Sequence, residues 1–581
     1  MKRKVIVVLA TLCLVTSLVS CGGGESKGTS ADKVGATSAG ATQDLKGNES
    51  IKATNPEKLP KVAQDRKDTI VIGMSAPKGE FLPIYSSTTY DAWVGDIVFS
   101  KLISNDKEGN AIPSLAEKFD ISEDGKTYKF TLRKGVKFTN GEEVKAKDVA
   151  FTYTTLCDPS YDGPRSSYVE GLVGYEEYNK GDAKNVAGIK VVDDYNIEFT
   201  LKESDAPGIW NFVMGIMPES VYKFEKGNIQ PLKEKMTKLK LIGSGPYKFV
   251  HFKPGQEVKL VKNDNYFEGA PKIPNVVLKV TNGTTQIQEL VTGNVDIEHN
   301  AVQPKPENIE QLKAAGFLTE ELYQANSYGY MGLNLESPKL KDKAVRQALA
   351  YGLNRKAFMD SYYQGYGEVA NTHILPTSWA FNKEVKDLYP YDPEKANKML
   401  DEAGWKDTNN NGIRDKDGVE LEISWLTYTG SKYVDTLTPI VIDSWKQIGV
   451  KVVPELMEFS SMADKVRNDR DFEMYNMAWS MDLDPDSVEI FAIEQDKKGG
   501  FNSNRWRNEK ADKLLKDAKK ALDKNERIKL YGEWQKEFAE DLPYIVLGYS
   551  KDMSVVSSRV KNFEPSTFID WTYQIHKMEL E

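Results

Sequence analysis

The sequence predicts an α/β fold, because strand, helix and strand follow one another twice along the chain. The first such unit spans residues 276–280, 286–292 and 295–297, and the second spans 420–426, 437–448 and 450–453. Gly293 and Gly449 close the two helices, as glycine commonly does at a helix end. This order and spacing indicate βαβ units. A hairpin-rich region between residues 125 and 201 adds an antiparallel part.

The first half of the folded chain contains short strands, two hairpins and two clear helices. Apolar Tyr128, Phe130 and Leu132 alternate with polar residues, which predicts a strand with one buried and one wet face. The other predicted elements are a strand at 68–73, helices at 90–102 and 146–156, a hairpin joining 189–192 to 197–201, and a bent strand at 241–250.

The second half is predicted to be more helical. Residues 343–359 form one amphipathic helix with apolar residues on or near one face. An aromatic strand at 328–334 precedes it, and helices at 393–403, 511–522 and 526–540 lead to a strand at 544–548. No internal repeat is visible.

The N-terminus carries an export signal. Lys2, Arg3 and Lys4 precede an apolar run at 5–19, too short and wrongly flanked to span a membrane stably. The run ends at Leu18-Val19-Ser20-Cys21 and resembles the lipobox of bacterial lipoproteins, whose cleavage leaves a diacylated N-terminal cysteine. This resemblance implies a signal peptide at 1–20, lipidation at Cys21, and a protein anchored to the extracytoplasmic face of the cell membrane.

Residues 21–67 are rich in small and polar side chains and almost free of large apolar ones, which predicts a flexible tether. The formal net charge of the whole chain is −9, and no basic stripe is present, which argues against nucleic acid as a partner. Cys157 is the one cysteine beyond the tether, so no disulfide framework is expected.

The stretch from Trp479 to Asp486 crowds aromatic and acidic groups at the end of an apolar strand, 474–478. In α/β folds, ligands usually bind at strand ends, and an aromatic ring beside a carboxylate suits a positively charged organic ligand. The structural alternative is a turn at Pro485 whose carboxylates cap a helix at 488–493. Local sequence leaves both interpretations open.

No arrangement of residues indicates an enzyme. The four histidines, His251, His299, His373 and His576, are not paired at metal-ligand spacing. No Gly-x-Ser-x-Gly elbow and no His-Glu-x-x-His helix occurs. We therefore expect a binding protein that requires no cofactor.

One loop, 407–418, matches the first part of an EF-hand. Its oxygen-bearing positions would be Asp407, Asn409, Asn411, the carbonyl of Ile413, and Asp415. Glycine stands at position 12, where an EF-hand has a bidentate glutamate. A structural Ca²⁺ site and a calcium-free loop of Asx-turns are both consistent with this pattern.

Several motifs occur together and in a familiar order. They are the segment 124–138 (DGKTYKFTLRKGVKF), Asn140-Gly141, Lys147-Asp148-Val149, Gly243-Ser-Gly-Pro-Tyr247, Asn334, Val345-Arg-Gln-Ala348 and Asn354-Arg355. Together they resemble the family 5 extracellular solute-binding proteins, which are receptors of ABC importers. The resemblance runs from about residue 68 to the end of the chain.

The resemblance implies a two-lobed periplasmic-binding-protein-like fold (Venus flytrap, type II) with an extra α+β domain in the first lobe. On this sequence, lobe one would comprise 68–100, 240–330 and 545–581. The extra domain would be 101–239, and lobe two would be 331–544. We expect a monomer whose partners are a peptide and the transmembrane subunits of an ABC permease.

In peptide-binding members, an aromatic residue precedes by three positions an aspartate that takes the peptide's α-ammonium. Trp479 and Asp482 match that pattern, which implies ligand binding by Asp482 with Trp479, Ser480 and Met481 around it. An arginine six positions before this aspartate in some peptide receptors is Asn476 here, so the partner of the ligand's carboxylate is not identified. A non-peptide solute, such as a nickel chelate or a sugar, is the alternative.

Overall fold

The computed structural model describes residues 48–385 and 388–581. The strands, in chain order, are β1 Glu49–Ile51, β2 Thr69–Met74, β3 Ile103–Asn105, β4 Ala111–Pro113, β5 Ala116–Ile121, β6 Thr127–Leu132, β7 Ile189–Val191, β8 Asn196–Thr200, β9 Tyr247–Lys253, β10 Glu257–Lys262, β11 Asn275–Val280, β12 Ile297–His299, β13 Leu318–Leu333, β14 Gly367–Glu368, β15 Asp415–Lys416, β16 Val419–Glu420, β17 Glu422–Tyr428, β18 Lys451–Met457, β19 Met474–Ser480, β20 Tyr544–Ser557, β21 Val560–Lys561 and β22 Glu579–Leu580.

The α-helices, in chain order, are α1 Lys61–Gln64, α2 Thr89–Val98, α3 Ala146–Leu156, α4 Tyr175–Lys180, α5 Glu219–Tyr222, α6 Gln230–Thr237, α7 Gln286–Val291, α8 Pro306–Ala315, α9 Lys343–Gly352, α10 Arg355–Tyr363, α11 Pro393–Glu402, α12 Lys432–Lys446, α13 Phe459–Asp464, α14 Val488–Phe491, α15 Glu509–Lys520 and α16 Lys524–Asp541. Short 3-10 and π turns join several of them.

A large mixed sheet runs through the described chain in the order β18-β17-β19-β13-β20-β12-β2-β11-β10-β9. The long strands β13 and β20 pair with each other along most of their length, and the register shifts between Gln324 and Tyr328. Before the shift, β13 pairs with the part of β20 whose other edge pairs with β12. From Ser327 onward, β13 also pairs with β19. The two long strands therefore join two halves of the sheet across an irregular step at residues 325–327.

Both predicted βαβ units are confirmed. β2 pairs in parallel with β11 and β12, which are joined by α7, and β17 pairs in parallel with β18 through α12. The strands bury apolar side chains such as Ile72 on one half and Trp425 on the other, each with no exposed surface. This burial supplies most of the stabilisation of such sheets.

The hairpin region forms a separate antiparallel sheet in the order β5-β6-β8-β7. Tyr128, Phe130 and Leu132 are buried, as their alternation predicts. The predicted helix at 146–156 is confirmed as α3. The chain returns to the large sheet through Gly243, where a Cβ atom would lie 2.1 Å from the carbonyl oxygen of Val98. Only glycine permits that approach.

The predicted tether ends earlier than residue 67. β1 pairs with β13 in the register Glu49↔Leu322, the Ser50 hydroxyl donates to Glu321 Oε1 (2.7 Å), and α1 follows. Composition missed this segment because β1 is only three residues long, and its attachment combines backbone pairing to β13 with the partial burial of Ile51. The predicted signal peptide, Cys21 and the tether up to residue 47 lie outside the described residues.

The predicted single helix at 343–359 is two helices, α9 and α10. Leu353 is extended, and the Asn354 side chain accepts a hydrogen bond from the Ala357 amide (3.0 Å), which caps α10. Asparagine competes with the helical backbone in this way and favours N-caps. The apolar periodicity continued across the break and concealed it.

Candidate functional site

The predicted site lies where β19 ends. β19 pairs with β13 over its full length on one edge, whereas β17 pairs with the other edge only at Met474 and Tyr475. In the described part of the chain, no strand covers that second edge from Asn476 to Ser480. Backbone groups along such an edge are available to another extended chain.

A cavity of about 500 Å³ opens beside the end of β19. Two distant parts of the chain line it, one around residues 167–213 and the other around 479–519. Aromatic side chains of Tyr168, Trp210, Trp479 and Phe501 form much of its wall. Its charged lining residues are Asp205, Asp482, Asp484, Asp486, Glu489 and Lys519.

Asp482 lies in this cavity and also borders a much smaller one that contains Met481. Its carboxylate makes no hydrogen bond or ion pair with any described residue, and it reaches solvent. The residue as a whole is exposed, and the neighbouring protein only partly desolvates its carboxylate. Desolvation raises the pKa of Asp482, and repulsion from Glu489 and Asp484 raises it further. The group therefore has an acidic environment and lacks a cation.

Asp484 has a different role, although only one residue separates it from Asp482. Its two oxygens accept from the Arg527 guanidinium at 2.7 and 2.6 Å, and both side chains are buried. Arg527 also donates to the Ala518 carbonyl (2.9 Å) and to the Tyr531 hydroxyl (3.1 Å). This bidentate pair ties the turn after β19 to α15 and α16.

Asp486 is also held by the protein. One oxygen accepts from the Val488 amide (3.2 Å) at the start of α14, and the other lies 3.5 Å from Lys519 Nζ. Lys519 is in turn 4.0 Å from Asp205. Desolvation raises the pKa of Asp486 to about 6. The structural interpretation of Asp484 and Asp486 as turn and capping residues is consistent with these contacts.

The other predicted site residues surround Asp482. Trp479 is half-buried and packs edge to face on Phe501, with ring centroids 5.4 Å apart. Ser480 is exposed at the end of β19. The Met481 amide donates to the Asn326 carbonyl (3.0 Å), and the Asn326 side chain donates to the Met481 carbonyl (2.6 Å). This exchange ties the turn to the irregular step of β13.

Asn476 belongs to the core and not to the cavity. It is fully buried, its side-chain oxygen accepts from the Trp425 indole N–H (3.0 Å), and its side-chain nitrogen has no partner among the described residues. An arginine at this position would carry its charge into the packing between β17 and β19. The neutral Asn476 side chain is therefore compatible with the packing around it.

A second cavity of about 490 Å³ lies at the ends of β2 and β12, where Met74, Ser75, His299 and Asn300 line it. Phe568 borders both this cavity and the small one beside Asp482. The carboxyl ends of parallel strands are the usual place for a ligand. Sequence reasoning missed this region and the aromatic wall from residues 168–210, because segments far apart in sequence form them.

The loop at 407–418 uses its polar side chains on its own backbone. Asp407 accepts from the Asn411 and Gly412 amides, and Asn411 accepts from the Ile413 amide (2.8 Å). The Asp415 carboxylate accepts from the amide and hydroxyl of Thr408. These bonds match the Asx-turn interpretation, and calcium binding by this loop stays a prediction.

Across 48–385 and 388–581, no helix is long and apolar enough to cross a membrane. Within the same ranges, no group of three or more His, Cys, Asp or Glu side chains is arranged to hold a metal ion.

Comparison with known proteins gives a consistent result. The model of the bacterial extracellular solute-binding proteins, family 5, matches residues 110–501. The oligopeptide-binding protein AppA of Bacillus subtilis is 33% identical over 504 residues, which cover 85% of this chain and 88% of AppA.

Solved structures agree with this match. The structure of Bacillus subtilis AppA in complex with a nonapeptide has a TM-score of 0.69 and 32% identity, and the match covers 89% of this chain and 99% of AppA. NikZ from Campylobacter jejuni in complex with Ni(L-His) has a TM-score of 0.70 and 25% identity, with 88% and 99% covered.

These matches confirm the predicted fold class, the two-lobed periplasmic-binding-protein fold of type II. The family consists of solute-binding receptors and not of enzymes. Since the family model covers well over half of the chain and AppA is alike over most of both lengths, this chain belongs to the bacterial extracellular solute-binding proteins of family 5.

Proposed function

We propose that this protein is a lipid-anchored receptor that captures a peptide beside the end of β19 and delivers it to an ABC importer. The observation that carries the proposal is the state of Asp482. It is a carboxylate without a partner in an acidic, aromatic-walled cavity, and Asp484 and Asp486 beside it are occupied by the protein.

The charge of the cavity favours a ligand with an amino group. Five carboxylates and one lysine line it, and Arg527 balances only Asp484. An ammonium group that enters would relieve the repulsion between Asp482 and Glu489 and would gain a charge-assisted hydrogen bond. A bound ligand without a cation would exclude water from this carboxylate and leave it unpaired, which is unfavourable.

The open edge of β19 supports a peptide as the ligand. From Asn476 to Ser480 this edge has no strand partner in the described chain, so an extended peptide can add main-chain hydrogen bonds there. Such bonds are common to all peptides and do not depend on side chains. Trp479 and Phe501 would then wall a side-chain pocket.

Relatives support the same ligand class. AppA of Bacillus subtilis, described as an oligopeptide-binding protein, has been solved with a nonapeptide. By analogy, we place lobe one at 68–100, 240–330 and 545–581, the extra domain at 101–239 and lobe two at 331–544. Anchoring through Cys21, a monomeric state and docking to a permease belong to the same proposal.

Ligand capture would involve a hinge motion of the two lobes. The irregular step at residues 325–327 of β13 is the natural position for the hinge, since the two halves of the sheet meet there. Next to the lining residues Asp205 and Lys519, the Ser204 hydroxyl donates to the Lys520 carbonyl (3.0 Å), and Lys520 lies 3.4 Å from Glu203. These contacts would form on closure, when ligand binding shifts the population toward the closed state.

Native mass spectrometry of the purified protein tests the ligand class. We expect a set of co-purified peptides whose masses disappear after partial unfolding and refolding. A nickel chelate or a sugar in their place would replace the peptide proposal by its alternative.

Calorimetry tests the role of Asp482. We expect the wild-type protein to prefer peptides with a free amino terminus over their N-acetylated forms by roughly 10- to 100-fold, as for hydrogen bonds to charged groups. Asp482→Asn should remove most of this preference, because it removes the anionic acceptor. Asp443→Asn, an exposed aspartate on α12, is the matched control.

An unchanged preference in Asp482→Asn would reject Asp482 as the ammonium anchor. Circular dichroism of each variant shows whether the fold is intact, so a loss of binding by unfolding is recognised separately.

A further inference from the structure

Arg467 lies beside the wall of the cavity. It belongs to a π-helical turn, Lys465–Asp469, and its guanidinium carbon is 4.7 Å from the ring centroid of Phe501 and 6.0 Å from that of Trp479. Both aromatic rings line the 500 Å³ cavity. Single π turns inside helices occur frequently at functional sites.

The guanidinium of Arg467 has no hydrogen bond and no ion pair with any described residue. Every other arginine in the ranges 48–385 and 388–581 uses its guanidinium as a donor, to a carboxylate, an amide or a backbone carbonyl. Among the arginines of the described residues, Arg467 is thus the one whose guanidinium donates to no protein acceptor.

Stacking orients this free group. A guanidinium over aromatic rings is held by cation–π attraction and keeps the N–H donors of its edge available. The planar fork matches a carboxylate, with two parallel N–H···O bonds. A stacked arginine with no protein acceptor, next to a ligand-sized cavity, is therefore prepared for an anionic group that comes with the ligand.

We propose that Arg467 is a specificity-determining residue that binds a carboxylate of the ligand. This inference rests on the proposed peptide function and extends it. Asn476 cannot supply this charge, because it is neutral, buried and bonded to Trp425. The site would then bind two charged groups of the ligand, an ammonium at Asp482 and a carboxylate at Arg467.

The carboxylate has two sources, the peptide's C-terminus or an acidic side chain. Two series of peptides distinguish them, each with a free amino terminus. One series compares C-terminal acids with their amides, and the other exchanges Glu for Gln at single positions. Calorimetry on the full chain compares the wild-type protein with Arg467→Met, which keeps much of the apolar stem, and with Arg467→Lys, which keeps the charge.

We expect the wild-type protein to prefer the acid over the amide in one series by about tenfold or more, since charge-assisted bidentate bonds are among the strongest. Arg467→Met should lose that preference and bind the amide within about twofold of the wild-type affinity. Arg467→Lys should keep part of the preference. Lys147→Met, which removes an exposed positive charge on α3, should leave the preference unchanged.

Four results would overturn the inference. If Arg467→Met keeps the wild-type acid-to-amide ratio for every pair, or the wild type has no acid preference, Arg467 only packs on the aromatic wall. A proportional loss of affinity for acids and amides would also show a packing role alone. If the wild type binds no peptide, the proposed function fails, and this inference fails with it.

Discussion

The turn after β19 contains two kinds of acidic position. In its first half, residues 481–482, Asp482 lines the cavity and has no partner among the described residues. In its second half, residues 484–487, Asp484 is bonded twice to Arg527, and Asp486 accepts from the Val488 amide near Lys519. The same residue type thus has different surroundings within five positions.

Under the proposed function, pairing and not residue type separates structural from ligand-binding carboxylates. A carboxylate that the fold already satisfies stabilises the fold and has little left to offer a ligand. A carboxylate that is exposed to a cavity, has no protein partner and is repelled by acidic neighbours contributes little to the stability of the empty protein, and it gains a partner when a cation arrives. The contrast predicts that substitutions in the two halves will affect different properties.

The largest expected change in the free energy of unfolding comes from breaking the ion pair in the second half of the turn. Arg527→Met would leave Asp484 buried without its partner, so we expect a loss of about 3–5 kcal/mol in the free energy of unfolding, as for other broken buried pairs. Urea unfolding followed by circular dichroism measures this loss. Adding Asp484→Asn to Arg527→Met should recover part of it, because the unpaired charge is then removed.

Asp482→Asn is the matched comparison from the first half. It removes a carboxylate with no protein partner, so its free energy of unfolding should stay within about 0.5 kcal/mol of the wild type, as for other surface changes. If Arg527→Met and Asp482→Asn destabilise the protein equally, the distinction between the two halves is wrong.

Much of the fold could be predicted from the sequence, because local patterns encode it. The period-2 alternation at Tyr128, Phe130 and Leu132 gives β6, and the strand–helix–strand order gives both parallel units. Helix α3 has the predicted bounds. These features depend on nearest neighbours in sequence, which is where hydrophobic patterning is informative.

The parts that escaped prediction depend on long-range pairing. β1 is held to β13 by backbone bonds across more than two hundred residues, which composition does not report. The break before α10 depends on the Asn354 cap inside a continuous apolar pattern. At the site, the motif around Asp482 was visible, but Arg467 and the aromatic wall from residues 168–210 adjoin it only after folding.

An intermediate change in the free energy of unfolding is expected from the titration of Asp486. The pKa of Asp486 in the folded protein is about 6, above the ordinary value of 3.8, because desolvation disfavours its charge. The folded state therefore binds more protons than the unfolded state between about pH 4 and pH 6, and this group lowers stability as pH rises through that window. Above about pH 6 the loss is complete and constant.

Asp486→Asn removes that dependence. We expect the wild type, relative to the variant, to lose about 1–3 kcal/mol between pH 4 and pH 6, from a shift of about two pKa units. Urea unfolding of both proteins at intervals across this range measures the difference, and subtraction cancels the other titrating groups. Parallel curves for the two proteins would show that Asp486 titrates normally.

The smallest expected effect concerns a third set of acidic groups, in the loop at 407–418. Its carboxylates resemble Asp484 more than Asp482, since Asp407 and Asp415 already accept hydrogen bonds from their own loop. Gly418 also stands where an EF-hand places its bidentate glutamate. We therefore expect melting curves in Ca²⁺ and in a chelator to agree within about 1 °C, well below the shift that a site-bound ligand in large excess produces. A clear rise in melting temperature with Ca²⁺ that Asp407→Asn abolishes would show that these oxygens still bind a cation, and internal hydrogen bonding alone would then not identify a structural carboxylate.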